Sequence, residues 1–146
     1  MIWIKEIVDG LVEMYGTRNV YEILDKLEVT LIRKKLFKNE KGRFYRDILR
    51  HETIFISDTL SEQEEKIVIA HELGHLILHT HLSTSYYTEN QLINKNKLEV
   101  EANKFAAELL IPDDVNIYEY ETIQQLACYL EVPEELVRLK YKDVII

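Results

Sequence analysis

Cysteine is nearly absent from this chain of 146 residues: Cys128 stands alone. One thiol excludes a disulfide framework and a cysteine-built zinc site, and it fits a reducing, cytoplasmic setting. A lone cysteine is ordinarily a small buried hydrophobe, so Cys128 is assigned no role. Long hydrophobic runs are missing too. Although 47% of the residues are apolar, no segment approaches the ~20 uninterrupted apolar residues of a membrane span. The opening residues Met1-Ile2-Trp3-Ile4-Lys5-Glu6 carry charge within their first turns and have no small-residue cleavage site, so they do not read as a secretory signal. Positive charge is in deficit, with 18 Lys and Arg against 26 Asp and Glu and a net charge of −8. That balance argues against a nucleic-acid partner held through its phosphates and otherwise speaks to solubility. There is no internal repeat and no low-complexity segment. The length fits one domain spanning residues 1–146, large enough to bury roughly two-thirds of its unfolded surface.

What is present is patterned. Apolar residues at Ile4, Ile7, Val8, Leu11, Val12 and Tyr15 have the spacing of an amphipathic helix, and a second short helix is expected over Val20–Leu27. Val29–Phe37 and Arg43–Leu49 read as strands joined through the polar turn Lys38–Gly42, and Glu52–Ser57 as a third strand. Their Arg and Lys content predicts a sheet with one solvated face. Ser61-Glu62-Gln63-Glu64 has the form of a capping box. The helix it opens is apolar on nearly all sides from Ile67 to Leu78, as a central buried helix should be. Thr80–Asn96 has weak periodicity and reads as a long loop, either a lid or a solvated connector. Lys97–Ile111 is a strong helix stopped by Pro112. Helical segments at Glu121–Leu130 and Pro133–Tyr141 complete a C-terminal portion, 113–146, which is either packing or a substrate-docking element.

The chemistry concentrates in His71-Glu72-Leu73-Gly74-His75. Residues four apart on a helix are neighbours, so two imidazoles so placed can reach one zinc ion, and the adjacent Glu72 can accept a proton from water on that ion. Two satisfied core histidines flanking a carboxylate would leave the same pattern. A catalytic site needs a third protein ligand. On the Lys97 helix, Lys97, Glu101, Lys104 and Glu108 fall on one stripe of alternating sign, read as solvated ion pairs. Glu99 shares its face with Ala102, Asn103, Ala106 and Leu110, where a carboxylate is costly without a cation. Glu99 is therefore the expected third ligand and Glu101 a surface residue. Asn103, one turn on, could hold the other nitrogen of a zinc histidine or make a helix–helix contact. His79 lies about 12 Å along the helix from His71, too far to share its metal, and is expected at the helix end as a partner of the dipole. His51 and His81 read as surface residues.

These residues carry a resemblance. The run Ile69-Ala70-His71-Glu72-Leu73-Gly74-His75 is similar to the ImmA/IrrE family of zinc metallopeptidases. So is Glu99-Val100-Glu101-Ala102-Asn103-Lys104-Phe105-Ala106-Ala107-Glu108-Leu109-Leu110-Ile111-Pro112, which matches the family's E-x-x-A-N-x-F-A-A-x-L-L-x-P pattern. Ile111 stands where the family usually has Met, a volume-conserving exchange. The resemblance implies that His71, His75 and Glu99 bind one Zn2+ and that Glu72 is the general base. It also implies a bacterial, phage or mobile-element protein that relieves repression by cleaving a helix-turn-helix repressor.

The resulting expectation is an α+β, zincin-like fold: a small twisted, mostly antiparallel three-stranded sheet packed on a central HExxH helix with further helices around it. Its function would be zinc-dependent hydrolysis of a peptide bond in a protein substrate. The substrate would add as a strand along an exposed edge, assigned to Thr53-Ile54-Phe55-Ile56, and Tyr86 or Tyr87 would supply an oxyanion donor. The alternative is a non-catalytic antirepressor that sequesters its repressor, its metal structural or vestigial. An intact Glu72 argues against that, because binding alone has no use for a base there. A third reading, a DNA-binding helix-turn-helix over Thr122–Ala127 and Val132–Val137, is disfavoured by acidic residues where base contacts should lie.

Overall fold

The computed structural model describes residues 1–142; the last four residues of the 113–146 segment lie outside the described residues. Caps and apolar spacing account for its helices. Helix α1 (Ile2–Tyr15) buries Ile4 and Val8 and ends at Gly16, whose φ of 69° is a left-handed conformation that glycine adopts without a Cβ penalty. Helix α2 (Val20–Lys26) starts at Asn19, whose side chain accepts from the N–H groups of Tyr21 and Glu22. Helix α3 (Glu62–Leu78) opens with the complete capping box between Ser61 and Glu64, and with three glutamates in the turn where the helix dipole favours negative charge. From Ile67 to Leu76 every residue of α3 is buried.

The sheet has four strands rather than three: β1 (Thr30–Lys34), β2 (Glu40–Arg46), β3 (Glu52–Ser57) and β4 (Thr84–Thr88), in the order β1-β3-β2-β4. The β1–β3 pair is parallel and the other two pairs are antiparallel. The added strand comes from the segment expected to be a loop, which also holds a 3₁₀ turn at Gln91–Ile93. Ser, Thr and Tyr alternate there with little hydropathy contrast, so the pairing with β2, and not local periodicity, makes the strand. The expected edge is also corrected. Thr53–Ile56 lies in β3, paired on both sides, and the exposed edges belong to β1 and β4.

Pleating assigns the faces. Phe44, Ile54 and Ile56 are fully buried against α3, while Ile32, Phe55, Arg43 and Tyr86 form a row on the opposite face. Each buried Ile, Leu or Phe of this core stabilises the fold by roughly 1.5–3 kcal/mol. On its other side α3 meets α4 (Lys97–Leu110), and the two helices cross closely at Gly74. A Cβ there would lie 3.1 Å from the Ala102 carbonyl oxygen and 3.1 Å from Phe105 Cβ. Buried Arg46 ties the end of α3 to the sheet: its guanidinium donates to the carbonyls of Leu76, Thr80 and Leu82 and pairs with Glu52. A second apolar cluster joins Ile67, Ala107 and Ile111 to Leu126 of α5 (Ile123–Leu130) and to Leu136 and Val137 of α6 (Glu134–Lys140). No helix among the described residues is long and apolar enough to cross a membrane.

Candidate metal centre

One helical turn separates His71 and His75 on α3, and both side chains are fully buried. Their rings sit edge to face with centroids 4.8 Å apart. The close α3–α4 crossing carries Glu99, in the first turn of α4, over them. His71 Nε2 lies 2.9 Å from Glu99 Oε2, and His75 Nε2 lies 3.3 Å from each Glu99 oxygen. Two ligands of a tetrahedral zinc ion with bonds near 2.0 Å sit about 3.3 Å apart. The three ligand atoms all fall within 4.8 Å of one another, a grouping that could hold a metal ion.

The hydrogen bonds on the far side of each ring test whether a cation suits this place. Asn103 donates through Nδ2 to the Gln91 carbonyl at 3.3 Å, which turns its Oδ1 toward His71 Nδ1 at 2.6 Å. His71 therefore carries its proton on Nδ1 when neutral, and its Nε2 lone pair points at Glu99. His75 Nδ1 is likewise occupied, 2.9 Å from His79 Nδ1. With His71 neutral, its Nε2 lone pair and the Glu99 carboxylate face each other with no hydrogen between them, an arrangement that repels itself unless positive charge sits in its midst.

Glu72 faces the same space and is completely buried. Burial pushes its carboxyl up to about 7, with nearby His75 and a hydrogen bond from Ser85 pulling the other way and Glu99 adding to the rise. Ser85 Oγ donates to Glu72 Oε2 at 2.9 Å, and Glu72 Oε1 has no hydrogen-bond partner among the described residues. Strand alternation separates the two tyrosines named as donors. Tyr87 turns inward, 3% exposed, with its ring 4.6 Å from that of His71. Tyr86 turns to the opposite face, 62% exposed, and so stands away from the site. Burial and the carboxylates of Glu72, Glu99 and Glu64 push the Tyr87 phenol up, so it stays protonated at neutral pH.

Sequence reading missed four residues here. Ser85 and Gln91 lay in the supposed loop and carried no signal. His79 is buried at the end of α3, bridging His75 to Glu101 across 2.9 Å on each side. Glu101, expected on the surface, is 8% exposed. Glu108 is buried as well, between Lys104 and Lys140. Helical phase correctly groups Glu101 with Lys104 and Glu108, but α3 and α6 cover the stripe that was read as solvated. The one advance signal for His79 was its place four residues beyond His75. His51 and His81 are exposed, as read.

A family model described as the IrrE N-terminal-like domain, a peptidase family, matches residues 24–142. The chain is 38% identical to immunity region protein 2 of Bacillus phage phi105, over 94% of this chain and 88% of that protein. It is 33% identical to metallopeptidase ImmA of Bacillus subtilis strain 168, over 97% of this chain and 85% of the relative.

Proposed function

The chain belongs to the IrrE N-terminal-like domain family of peptidases, and on that premise we propose that it is a zinc-dependent endopeptidase of the cytoplasm. Its substrate is a helix-turn-helix transcriptional repressor, whose cleavage relieves repression. The observation that carries the reading is the convergence of His71 Nε2, His75 Nε2 and the Glu99 carboxylate beside a buried glutamate with one free oxygen. The metallopeptidase name of the Bacillus subtilis relative and the immunity region of the phage relative support the activity and its setting.

His71, His75 and Glu99 would hold the ion, two neutral nitrogens and one anionic oxygen being a donor set that suits zinc. When bound, zinc supplies Lewis acidity, which makes water a better nucleophile and polarises the scissile carbonyl. Glu72 accepts the attacking water's proton at Oε1 and passes it to the leaving amine. Burial raises that carboxyl above its ordinary range, making it a stronger base than a solvated carboxylate. Ser85 holds Oε2 and so aims Oε1. Tyr87, protonated and against His71, donates to the oxygen on which negative charge develops. The substrate extends along the free edge of β4, which among the described residues pairs with β2 alone and carries Ser85 and Tyr87 on its inward face.

The test incubates zinc-loaded protein with candidate helix-turn-helix repressors and reads their length on a denaturing gel. Cleavage is expected with the wild type, is abolished by chelator and restored by zinc, and is lost in Glu72→Gln with the metal retained. A repressor that stays full length yet leaves its operator would overturn the peptidase reading in favour of sequestration.

A further inference from the structure

Resting on the reading of His75 as a metal ligand, we infer that His79 and Glu101 are positioning residues that fix the proton and ring orientation of His75, so that its Nε2 is held bare toward the metal. The chain of contacts runs from His75 Nδ1 to His79 Nδ1 at 2.9 Å and from His79 Nε2 to Glu101 Oε1 at 2.9 Å. Two facing ring nitrogens at that distance must be one donor and one acceptor. A carboxylate only accepts, so His79 carries its single proton on Nε2 and offers a bare Nδ1. His75 must then donate from its own Nδ1, which leaves Nε2 as its lone pair. With His79 neutral, this is the one assignment that satisfies both contacts of the chain, and it is the one a metal ligand needs.

The arrangement is built rather than incidental. His79 and Glu101 are both buried, and each would carry an unsatisfied polar group without the other. They come from the end of α3 and from α4, so the contact depends on the same helix crossing that brings Glu99 to the histidines. The two ligand histidines are also served differently. His71 meets a neutral amide, Asn103, whereas His75 connects through a second imidazole to a carboxylate. The negative end of that chain makes His75 the more electron-rich ligand. Its effect should therefore appear in metal affinity and not only in packing.

Long-range ¹⁵N–¹H spectra of the histidine rings in the wild-type protein test the assignment without any substitution. His79 is expected protonated on Nε2 and bare on Nδ1, with His75 protonated on Nδ1. Zinc dissociation constants by competition with a chromophoric chelator test the consequence. His79→Phe and Glu101→Leu, which remove the polar atoms and leave an apolar side chain in each place, are expected to bind zinc 10–100-fold more weakly. Glu101→Gln, which keeps an accepting oxygen, is expected to recover most of that affinity. A His79 ring protonated on Nδ1, or His79→Phe binding zinc within twofold of wild type, overturns the inference. Wild-type protein that takes up no zinc would instead sink the metal-centre reading, and the His79 tautomer would still decide whether the chain of hydrogen bonds exists.

Discussion

Ser85 Oγ donates to Glu72 Oε2 at 2.9 Å, and the other oxygen of that carboxylate has no hydrogen-bond partner among the described residues. The bond joins the edge strand β4 to the middle of α3, so the strand along which substrate would lie also orients the proposed base. Replacing Ser85 with Ala removes a hydrogen bond to a charged group, an interaction of roughly 1.5–3 kcal/mol. Peptidase turnover of Ser85→Ala should fall by about tenfold or more, with zinc content unchanged. Steady-state kinetics paired with elemental analysis separate the two, and equal loss of metal and activity would mean that Ser85 supports the fold and not Glu72.

Gly74 should resist even the smallest enlargement. In an exposed helix, Gly→Ala gains up to about 1 kcal/mol. Here the added Cβ would press on the Ala102 carbonyl at 3.1 Å, and backbone cannot move aside as a flexible side chain can. Overpacking of this kind costs about 1–3 kcal/mol, so the net change should be destabilising. Because the same crossing sets the Glu99 distance, Gly74→Ala should also weaken zinc binding. Chemical denaturation and chelator competition on one sample check both effects.

Zinc itself should stabilise the chain. A ligand present at a hundred times its dissociation constant adds about 2.7 kcal/mol, which for a chain of this size raises Tm by about 5–10 °C. The shift should vanish on chelation and be absent in Glu99→Ala. A Glu99→Ala variant that gains the full shift would remove Glu99 from the ligand set.

A pH-dependent contribution lies away from the centre, where Arg33 and Tyr21 donate to Glu65. The Arg33 guanidinium, with help from Tyr21 and against burial, holds the Glu65 carboxyl below its ordinary value. A carboxyl depressed in the folded state contributes stability that is fully present above its unfolded pKa, about 4.3. That stability is lost as pH falls through the folded value. Between about pH 5 and 3 the wild type should therefore lose stability more steeply than Glu65→Gln. Denaturant midpoints measured across that range would show parallel curves if the pair contributes nothing.

How far the sequence reaches is clearest on α3 and α4. Period marked both helices, with a capping box opening α3 and Pro112 stopping α4, and the spacing of His71, Glu72 and His75 needs nothing beyond one helix to be read. The phase of Glu99 and Asn103 was equally local. Where local period is weak, the reading stopped: Thr84–Thr88 becomes a strand only because β2 offers it a partner.

By itself, then, the sequence determined what each helix presents on each of its faces, because side-chain direction follows from backbone period alone. Only the tertiary structure decided which faces are covered. Glu101 and Glu108 were placed on the right stripe, but whether a stripe meets water or another helix depends on residues distant in the chain: α3 and α6 bury it, and His79 and Lys140 supply the partners. The same holds for the edge of the sheet. Strand order is set by long-range pairing, and that pairing encloses β3 and leaves β4 open beside the candidate metal centre.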